Sequence, residues 1–320
     1  MARAYIPRMP SLLSNRLTRR ILRPAAALVD KRIQRSASGL RTDLETLRRE
    51  AKELREQQTE LRNQQYAVGL LFDRTGRSGH RVPSPAEING LVREIAAVSG
   101  EDGGLARRNV TIAFRNVIAL ESLAVGRLAG STSNILGKLS TVPLLKPPNE
   151  NVLEIGTLHG LFAATLMRML HRAGVEAELT IVDPLVGSQL QPGAGMGAEP
   201  TGTPVREDVV RANLALGGRA GAEARVQQGF SGDPKVRSAV SDRKYGVIIV
   251  DGDHSAEGVA SDLEWVEEIV APGGIVVLDD FGDRSWPGVQ EAAEKHLASG
   301  TSRLELLGRV STSAFLRARA

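Results

Sequence analysis

The stretch Asn151–Gly160 constrains the fold most, because it passes from an apolar run through a glycine turn into helical spacing. Val152 to Ile155 predict a buried strand, and the apolar spacing from Leu161 to Leu170 predicts a helix that ends near Gly174. The two glycines, at 156 and 160, let the turn approach a ligand closely at the positive end of the helix dipole. The stretch therefore indicates a ligand-binding turn between a strand and a helix, with an ordinary connecting turn as the alternative.

Strand and helix patterns alternate from this stretch onward. Strands are predicted at 151–155, 178–182, 224–228, 245–250, 274–279, 303–309 and 313–317, and helices at 158–173, 205–217, 234–241, 256–270 and 286–298. Such alternation predicts an α/β fold with a parallel, doubly wound, Rossmann-like sheet of seven strands. Ligands of such sheets bind at the carboxyl ends of the strands, so the residues there are the candidates for function.

Composition excludes several kinds of protein. An apolar content of 42% predicts a real core, while only 3% aromatic residues argue against recognition of single-stranded nucleic acid by base stacking. The chain has no cysteine, which excludes disulfides, thiolate zinc sites and a cysteine nucleophile.

Positive charge is concentrated at the N-terminus. Residues 1–40 contain nine Lys or Arg and one acid, Asp30, for a local charge of +8; since the whole chain carries +4, the remainder carries about −4. Charge confined to a terminal arm argues against a nucleic-acid-binding domain. Arginines interrupt each apolar stretch before Leu28, so we expect no signal peptide, no membrane span and a cytoplasmic location. The basic arm, 1–39, in which Pro24 interrupts the pattern, predicts either a disordered tail or an amphipathic segment on the anionic inner face of a membrane.

A heptad repeat follows the basic arm. Leucines at 40, 47, 54 and 61 occupy d positions, and every e position is an arginine: Arg41, Arg48, Arg55 and Arg62. Asp43 and Glu50 at g would face Arg48 and Arg55 of a second chain in a parallel dimer. We therefore predict a parallel coiled coil over 40–72 that makes a homo-oligomer; the alternative is a single amphipathic helix.

The rest of the chain divides by composition. Residues 73–84 predict a linker, helical spacing over 85–147 predicts a helical module, and the α/β domain occupies 148–320. Val186 to Pro204, rich in glycine and proline, predicts either a lid over the acceptor or plain disorder.

Acidic side chains stand where the predicted strands end. Asp183 follows the second strand, where a carboxylate accepts ribose hydroxyls in nucleoside-binding folds or caps a helix. Five ionisable groups follow the fourth and fifth strands: Asp251, Asp253, His254, Asp279 and Asp280. Clustered carboxylates repel one another and are costly to bury, and a divalent cation removes that cost. Oxygen ligands favour Mg²⁺ over zinc, with helix capping by Asp253 and Asp280 as the alternative.

Two of these patterns resemble the class I S-adenosylmethionine (SAM) methyltransferases. The acidic-x-Gly-x-x-x-Gly pattern of Glu154 to Gly160 resembles their first motif. The string from Asp251-Gly-Asp-His-Ser to Trp265, with Leu-Asp-Asp-Phe at 278–281, is similar to the group that contains macrocin-type and rhamnosyl sugar O-methyltransferases and cephalosporin hydroxylase-like proteins. The resemblance covers about residues 150–320.

The resemblance implies a SAM- and Mg²⁺-dependent O-methyltransferase. It places Mg²⁺ on Asp251, Asp279 and Asp280, although the group often has Glu-Asp where this chain has Asp279-Asp280. It also implies that His254 is the general base, with Asp251 as a second catalytic residue. The cofactor residues it implies are Glu154, Gly156, Thr157, Gly160, Asp183, Phe230, Ser231 and Asp251. The acceptor expected is a sugar or another polyhydroxylated compound on a glycan, glycolipid or glycosylated metabolite, and no nucleic acid. A catechol or small diol, or a non-catalytic scaffold, are the alternatives, while a nicotinamide enzyme is disfavoured because Leu153 replaces the first glycine of G-x-G-x-x-G.

Overall fold

The computed structural model describes residues 16–72, 83–186 and 202–319, which fall into two compact units, 1–66 and 67–320. Residues 1–15 of the basic arm, most of the predicted linker and most of the predicted lid lie outside the described residues. Membrane contact by residues 1–39 therefore stays a prediction. Within the described residues, no helix is long and apolar enough to cross a membrane.

The N-terminal unit is built on one long helix. Helix α1 runs from Arg16 to Phe72, 57 residues and about 85 Å at 1.5 Å per residue. The expectation that Pro24 interrupts the pattern is wrong, because this proline lies inside the helix; proline removes only one backbone hydrogen bond there, and the helix continues on both sides. The heptad leucines and Leu44 are between 48% and 67% exposed. The predicted boundary at 39/40 falls within this helix.

Three helices and a short 3₁₀ turn precede the sheet. They are α2 (Pro85–Ser99), α3 (Gly103–Leu123) and α4 (Thr132–Thr141), with the 3₁₀ turn at Val142–Leu145. Each helix begins at a capping side chain: Ser84 forms a capping box with Glu87, Asp102 accepts two amide hydrogen bonds, and Ser131 accepts one from Asn134. These local signals form helices where the apolar spacing predicts them.

The sheet has seven strands. They are β1 (Asn151–Ile155), β2 (Glu178–Asp183), β3 (Arg225–Gln228), β4 (Tyr245–Val250), β5 (Val270–Leu278), β6 (Leu304–Val310) and β7 (Ser313–Ala318). The connecting helices are α5 (Leu161–Arg172), α6 (Glu207–Ala215), α7 (Arg219–Ala222), α8 (Pro234–Val240), α9 (Ala256–Ile269) and α10 (Pro287–Ala298). The strand order is β3-β2-β1-β4-β5-β7-β6, which confirms a Rossmann-like, doubly wound α/β fold with seven strands.

The expectation of a wholly parallel sheet is wrong at one strand. β1 to β5 pair in parallel, but β7 pairs antiparallel with both β5 and β6. Only Ser311 and Thr312 separate β6 from β7. A parallel crossover needs a dozen or more residues, so this connection must be a hairpin.

Two apolar cores cover the two faces of the sheet. Alternate residues of β4 divide between them: Val247 and Ile249 face one core, and Ile248 and Val250 face the other. The first core also contains Leu91, Leu139 and Phe315. The three helices before the sheet therefore share a core with it, and both belong to the compact unit 67–320.

We predict that the helical module and the sheet unfold together. Leu139 of α4 is fully buried in the shared core, so Leu139→Ala should lower the free energy of unfolding by about 2–5 kcal/mol. Both tryptophans, Trp265 and Trp286, lie in the α/β part, so their fluorescence in a urea titration reports on the sheet. Leu123, in α3 and 70% exposed, provides the control Leu123→Ala. An unchanged fluorescence midpoint for Leu139→Ala would show that the module unfolds separately.

Candidate active site

A cavity of about 760 Å³ lies at the carboxyl ends of β1, β2, β4 and β5. This volume is in the range of cofactor-binding sites. Its lining includes every sequence-predicted site residue except Gly160: Glu154, Gly156, Thr157, Asp183, Phe230, Ser231, Asp251, His254, Asp279 and Asp280. Residues 127–131 and two side chains of α4 complete the wall.

A row of backbone hydrogen bonds aligns the strand ends. The amide of Gly156 donates to Val182 O (2.9 Å), that of Asp251 to Ile155 O (2.9 Å), and that of Asp279 to Val250 O (3.0 Å). Each donor is the first residue after its strand. The parallel ladder therefore extends one residue beyond the strands and fixes the functional residues at one level.

The sequence suggests that Gly156 is needed for the close approach of a ligand, but the structure shows a different cause. Gly156 has φ +84°, and a Cβ there would lie 2.0 Å from the carbonyl oxygen of Asp251. The group that excludes a side chain at 156 is therefore the protein's own backbone. Gly160 has φ +78° and packs against Val210 and Leu214, outside the cavity lining.

Asp183 holds the glycine turn in place. Its Oδ2 accepts hydrogen bonds from the amides of Thr157 (2.7 Å) and Leu158 (3.2 Å), and its Oδ1 accepts one from Leu185 N (2.8 Å). Burial raises the pKa of Asp183, and these amide hydrogen bonds partly oppose that rise. A carboxylate has about four acceptor positions, so ribose hydroxyls can still bind Asp183.

Glu154 is a buried carboxyl group next to the glycine turn. It is 2% exposed and accepts a hydrogen bond from Thr157 Oγ1 at 2.5 Å. Burial raises the pKa of Glu154 to about 8, despite the hydrogen bond from Thr157. A cationic group of a bound ligand would favour its ionised form.

His254 lies between two carboxylates. Its Nε2 is 3.4 Å from Asp251 Oδ1 and 3.4 Å from Asp280 Oδ2, and its ring centroid is 4.9 Å from that of Trp286. Burial lowers the pKa of His254, but hydrogen bonding to Asp251 and the charges of both carboxylates outweigh this and raise it. Burial, followed by the charges of Asp279 and Asp251, raises the pKa of Asp280 to about 7. Asp251, His254 and Asp280 each place one ligand atom within 4.8 Å of the others, close enough to share a metal ion.

Asp279 is engaged differently from the other carboxylates. Its Oδ1 accepts hydrogen bonds from Asn134 Nδ2 (2.7 Å) and Ser313 Oγ (2.7 Å), and its Oδ2 accepts one from Lys138 Nζ. Burial alone would raise the pKa of Asp279, but the charge and hydrogen bond of Lys138 hold it at about 2. The group of side chains that can share a metal thus differs from the sequence-predicted set at this position, with His254 in place of Asp279.

Sequence reasoning missed Asn134 and Lys138. Lys138 is 2% exposed, and its Nζ lies 3.6 Å from Asp251 Oδ2. In the sequence it stands between Leu136 and Leu139, within an apolar helix face. A lysine in such a position is the one signal that could have pointed to a buried partner.

Two of the predicted cofactor residues, Phe230 and Ser231, line the cavity near α8. Phe230 is 56% exposed, and the carbonyl of Ser231 accepts a hydrogen bond from Arg237 Nε at 2.5 Å. Asp262 of α9, also missed, lines the same wall and is 1% exposed. Burial raises the pKa of Asp262 to about 6, opposed by Ser231 and Arg237.

Comparison with known proteins finds one family match and several similar structures. Residues 153–281 match the family described as a methyltransferase domain. The structure is similar to that of the O-methyltransferase NovP, with 18% identity, 73% of this chain and 100% of that chain covered, and a TM-score of 0.48. It is also similar to an O-methyltransferase from Bacillus cereus in complex with SAH (14% identity, 75% and 93% covered, TM-score 0.41). No curated protein sequence matches the chain.

The matched segment contains the glycine turn, Asp183 and the acidic tips of β4 and β5. This part of the chain is therefore similar to methyltransferase domains.

We predict that Glu154 makes the stability of the ligand-free protein depend on pH. Its folded pKa of about 8 lies above the ordinary 4.5, so between these values the folded protein keeps a proton that the unfolded chain has lost. The contribution of protonated Glu154 to the free energy of unfolding is fully present below pH 4.5 and is lost as the pH rises towards 8. Glu154→Gln should flatten this loss when urea unfolding is compared at pH 5 and pH 8, whereas the exposed Glu150→Gln should not. Equal slopes for the wild type and Glu154→Gln would contradict the assignment.

Proposed function

We propose that this chain is an O-methyltransferase that transfers the methyl group of SAM to a hydroxyl of a sugar or another polyhydroxylated acceptor. The observation that supports it is the position of His254 between Asp251 and Asp280, in the wall of the cavity that the glycine turn also lines. A base and an anionic cluster at one point suit proton removal from a weakly acidic hydroxyl.

The chemistry follows from charge. The sulfonium of SAM already activates the methyl group, so the remaining requirement is a nucleophilic oxygen. His254 takes the proton of the acceptor hydroxyl as the oxygen attacks the methyl carbon, and S-adenosylhomocysteine leaves. Because the flanking carboxylates raise the pKa of His254, the neutral base form is gained as the pH rises through that value.

The proposal includes Mg²⁺, with a revised set of ligands. Asp251 and Asp280 would hold the ion, and Asp279 is left out because the Lys138 ammonium pairs with its Oδ2 and because the group that can share a metal contains His254 in its place. Two carboxylates, with substrate and water oxygens, are typical of Mg²⁺ sites. When bound, the ion would act as a Lewis acid towards the acceptor oxygen.

One alternative has a different acceptor, and the other has no catalytic activity. A catechol or small diol would use the same base and carboxylates, so only an acceptor assay separates it from a sugar. A non-catalytic scaffold would have no reason to gather the partly exposed Asp251 and Asp280 around a buried histidine, since clustered charges repel one another.

We expect His254→Ala to lower methyl transfer by about 10²–10⁴-fold, because the loss of a general base has that effect. Asp251→Ala should also lower it, because it removes a proposed Mg²⁺ ligand beside the base. S-adenosylhomocysteine release would be measured with SAM and a panel of nucleoside-diphosphate sugars, other glycosides and catechol. Calorimetric titration with S-adenosylhomocysteine should give unchanged binding in His254→Ala, and NADH should not bind. His171→Ala is the matched control, because this histidine is 73% exposed and pairs with Glu176. Undiminished transfer by His254→Ala would refute the base.

We further propose that α1 joins two copies of the chain as a parallel coiled coil. The exposed leucine stripe needs a partner surface, and the arginines at every e position disfavour an antiparallel pair, in which e positions face each other. In the parallel pair, Asp43 and Glu50 face arginines of opposite charge. The charges beside the leucine stripe of α1 therefore favour a second copy of this chain as its partner.

A charge reversal tests this arrangement. Glu50→Lys at a g position should raise the dimer dissociation constant several-fold in sedimentation equilibrium, because it places Lys against Arg55 of the other copy. Glu56→Lys makes the same charge change at an f position, outside the seam, and should have little effect. A monomeric wild type at micromolar concentration, or equal effects of the two substitutions, would refute the parallel pairing.

A further inference from the structure

Lys138 is the one charged side chain that α4 sends into the catalytic cavity. It is 2% exposed, its Nζ pairs with Asp279 Oδ2 and lies 3.6 Å from Asp251 Oδ2, and it stands 4.7 Å from the centroid of the Phe162 ring. A buried lysine needs partners to offset the loss of hydration. Here both partners are carboxylates that the sequence assigns to a metal.

Helix α4 positions the side chain of Lys138 towards Asp279. Ser131 caps α4, and Asn134 and Lys138 follow one helical turn apart, so both side chains lie on the same face. Asn134 donates to Oδ1 of Asp279 and Lys138 to Oδ2. Asn134 also donates to Thr312 and Ser313 at the β6–β7 hairpin. Each oxygen of Asp279 thus accepts at least one hydrogen bond, and the bond to Oδ2 comes from a positive charge.

We propose that Lys138 is a positioning residue that occupies Asp279 as a fixed internal cation and thereby restricts the metal site to Asp251 and Asp280. The proposal rests on the proposed Mg²⁺-dependent function. Three free carboxylates would hold a divalent ion more tightly and occupy more of its six coordination positions. Two carboxylates, with a positive charge nearby, hold it more weakly and leave positions for acceptor oxygens.

A purely structural role for Lys138 makes a different prediction. If the lysine only fastened α4 to the sheet, its removal would lower stability and leave metal affinity unchanged or weaker. If it withholds Asp279 from the metal, its removal frees a third ligand and also removes a repelling charge. Metal affinity should then increase even as methyl transfer declines.

The test is titration of the metal-free, full-length protein with Mn²⁺, followed by electron paramagnetic resonance. Lys138→Met should bind Mn²⁺ about tenfold more tightly than the wild type, or more. Lys146→Met is the matched control: Lys146 follows the same helical module, is 81% exposed and pairs with Glu101. Calorimetry with S-adenosylhomocysteine checks that each variant keeps a folded cofactor site.

A charge-neutral double variant, Lys138→Met with Asp279→Asn, guards against misfolding of the single variant. It should bind Mn²⁺ within about threefold of the wild type, because Asp279 is not a ligand in the proposed site.

The outcomes separate the two proposals. Loss of binding by the double variant, or no increase for Lys138→Met, would overturn the role of Lys138 and leave the Mg²⁺ proposal standing. Binding by Lys138→Met alone would support the role of Lys138 and refute Mg²⁺ as the natural cofactor. No binding by any form would overturn both, while S-adenosylhomocysteine binding would still stand for the methyltransferase.

Discussion

The row of backbone hydrogen bonds beyond β1, β4 and β5 is the interaction on which the site depends. It brings Gly156, Asp251 and Asp279 to one level, and it brings the carbonyl of Asp251 so close to residue 156 that only glycine fits there. The same turn is pinned from the other side by Asp183. Cofactor turn and acidic cluster are therefore parts of one rigid backbone arrangement, and neither can shift without the other.

Electrostatics then divides the carboxylates into different roles. Asp279, paired with Lys138, has its pKa held at about 2, whereas burial raises the pKa of Asp280 to about 7 and that of Glu154 to about 8. All three are carboxyl groups, but their distance from Lys138 and their depth below the protein surface decide which of them stays charged. A site with this spread can hold a proton, a cation or a ligand amine at separate points.

Sequence reasoning found the strands and the residues at their tips because both depend on local patterns. Apolar runs mark buried strands, and a polar residue that ends such a run lies at the sheet edge in any parallel fold. It missed Lys138 because the contact with Asp279 joins residues 141 positions apart, which no local period encodes. It also misjudged β7, since strand direction depends on the length of a connection and not on the pattern of the strand itself. Pro24 was misjudged because a single lost hydrogen bond is small beside a helix of 57 residues.

The placement of β7 has a consequence for biosynthesis. This strand comes after all the others in chain order, yet in the sheet it lies between β5 and β6. While the polypeptide emerges from the ribosome, the edge of β5 has no neighbour until residues 313–318 arrive, and Asp279 lacks the hydroxyl of Ser313. Unpaired strand edges are the surfaces through which nascent chains associate wrongly. The sheet and the acidic cluster are thus completed by the same strand, and the edge of β5 is open to misassociation until that strand is made.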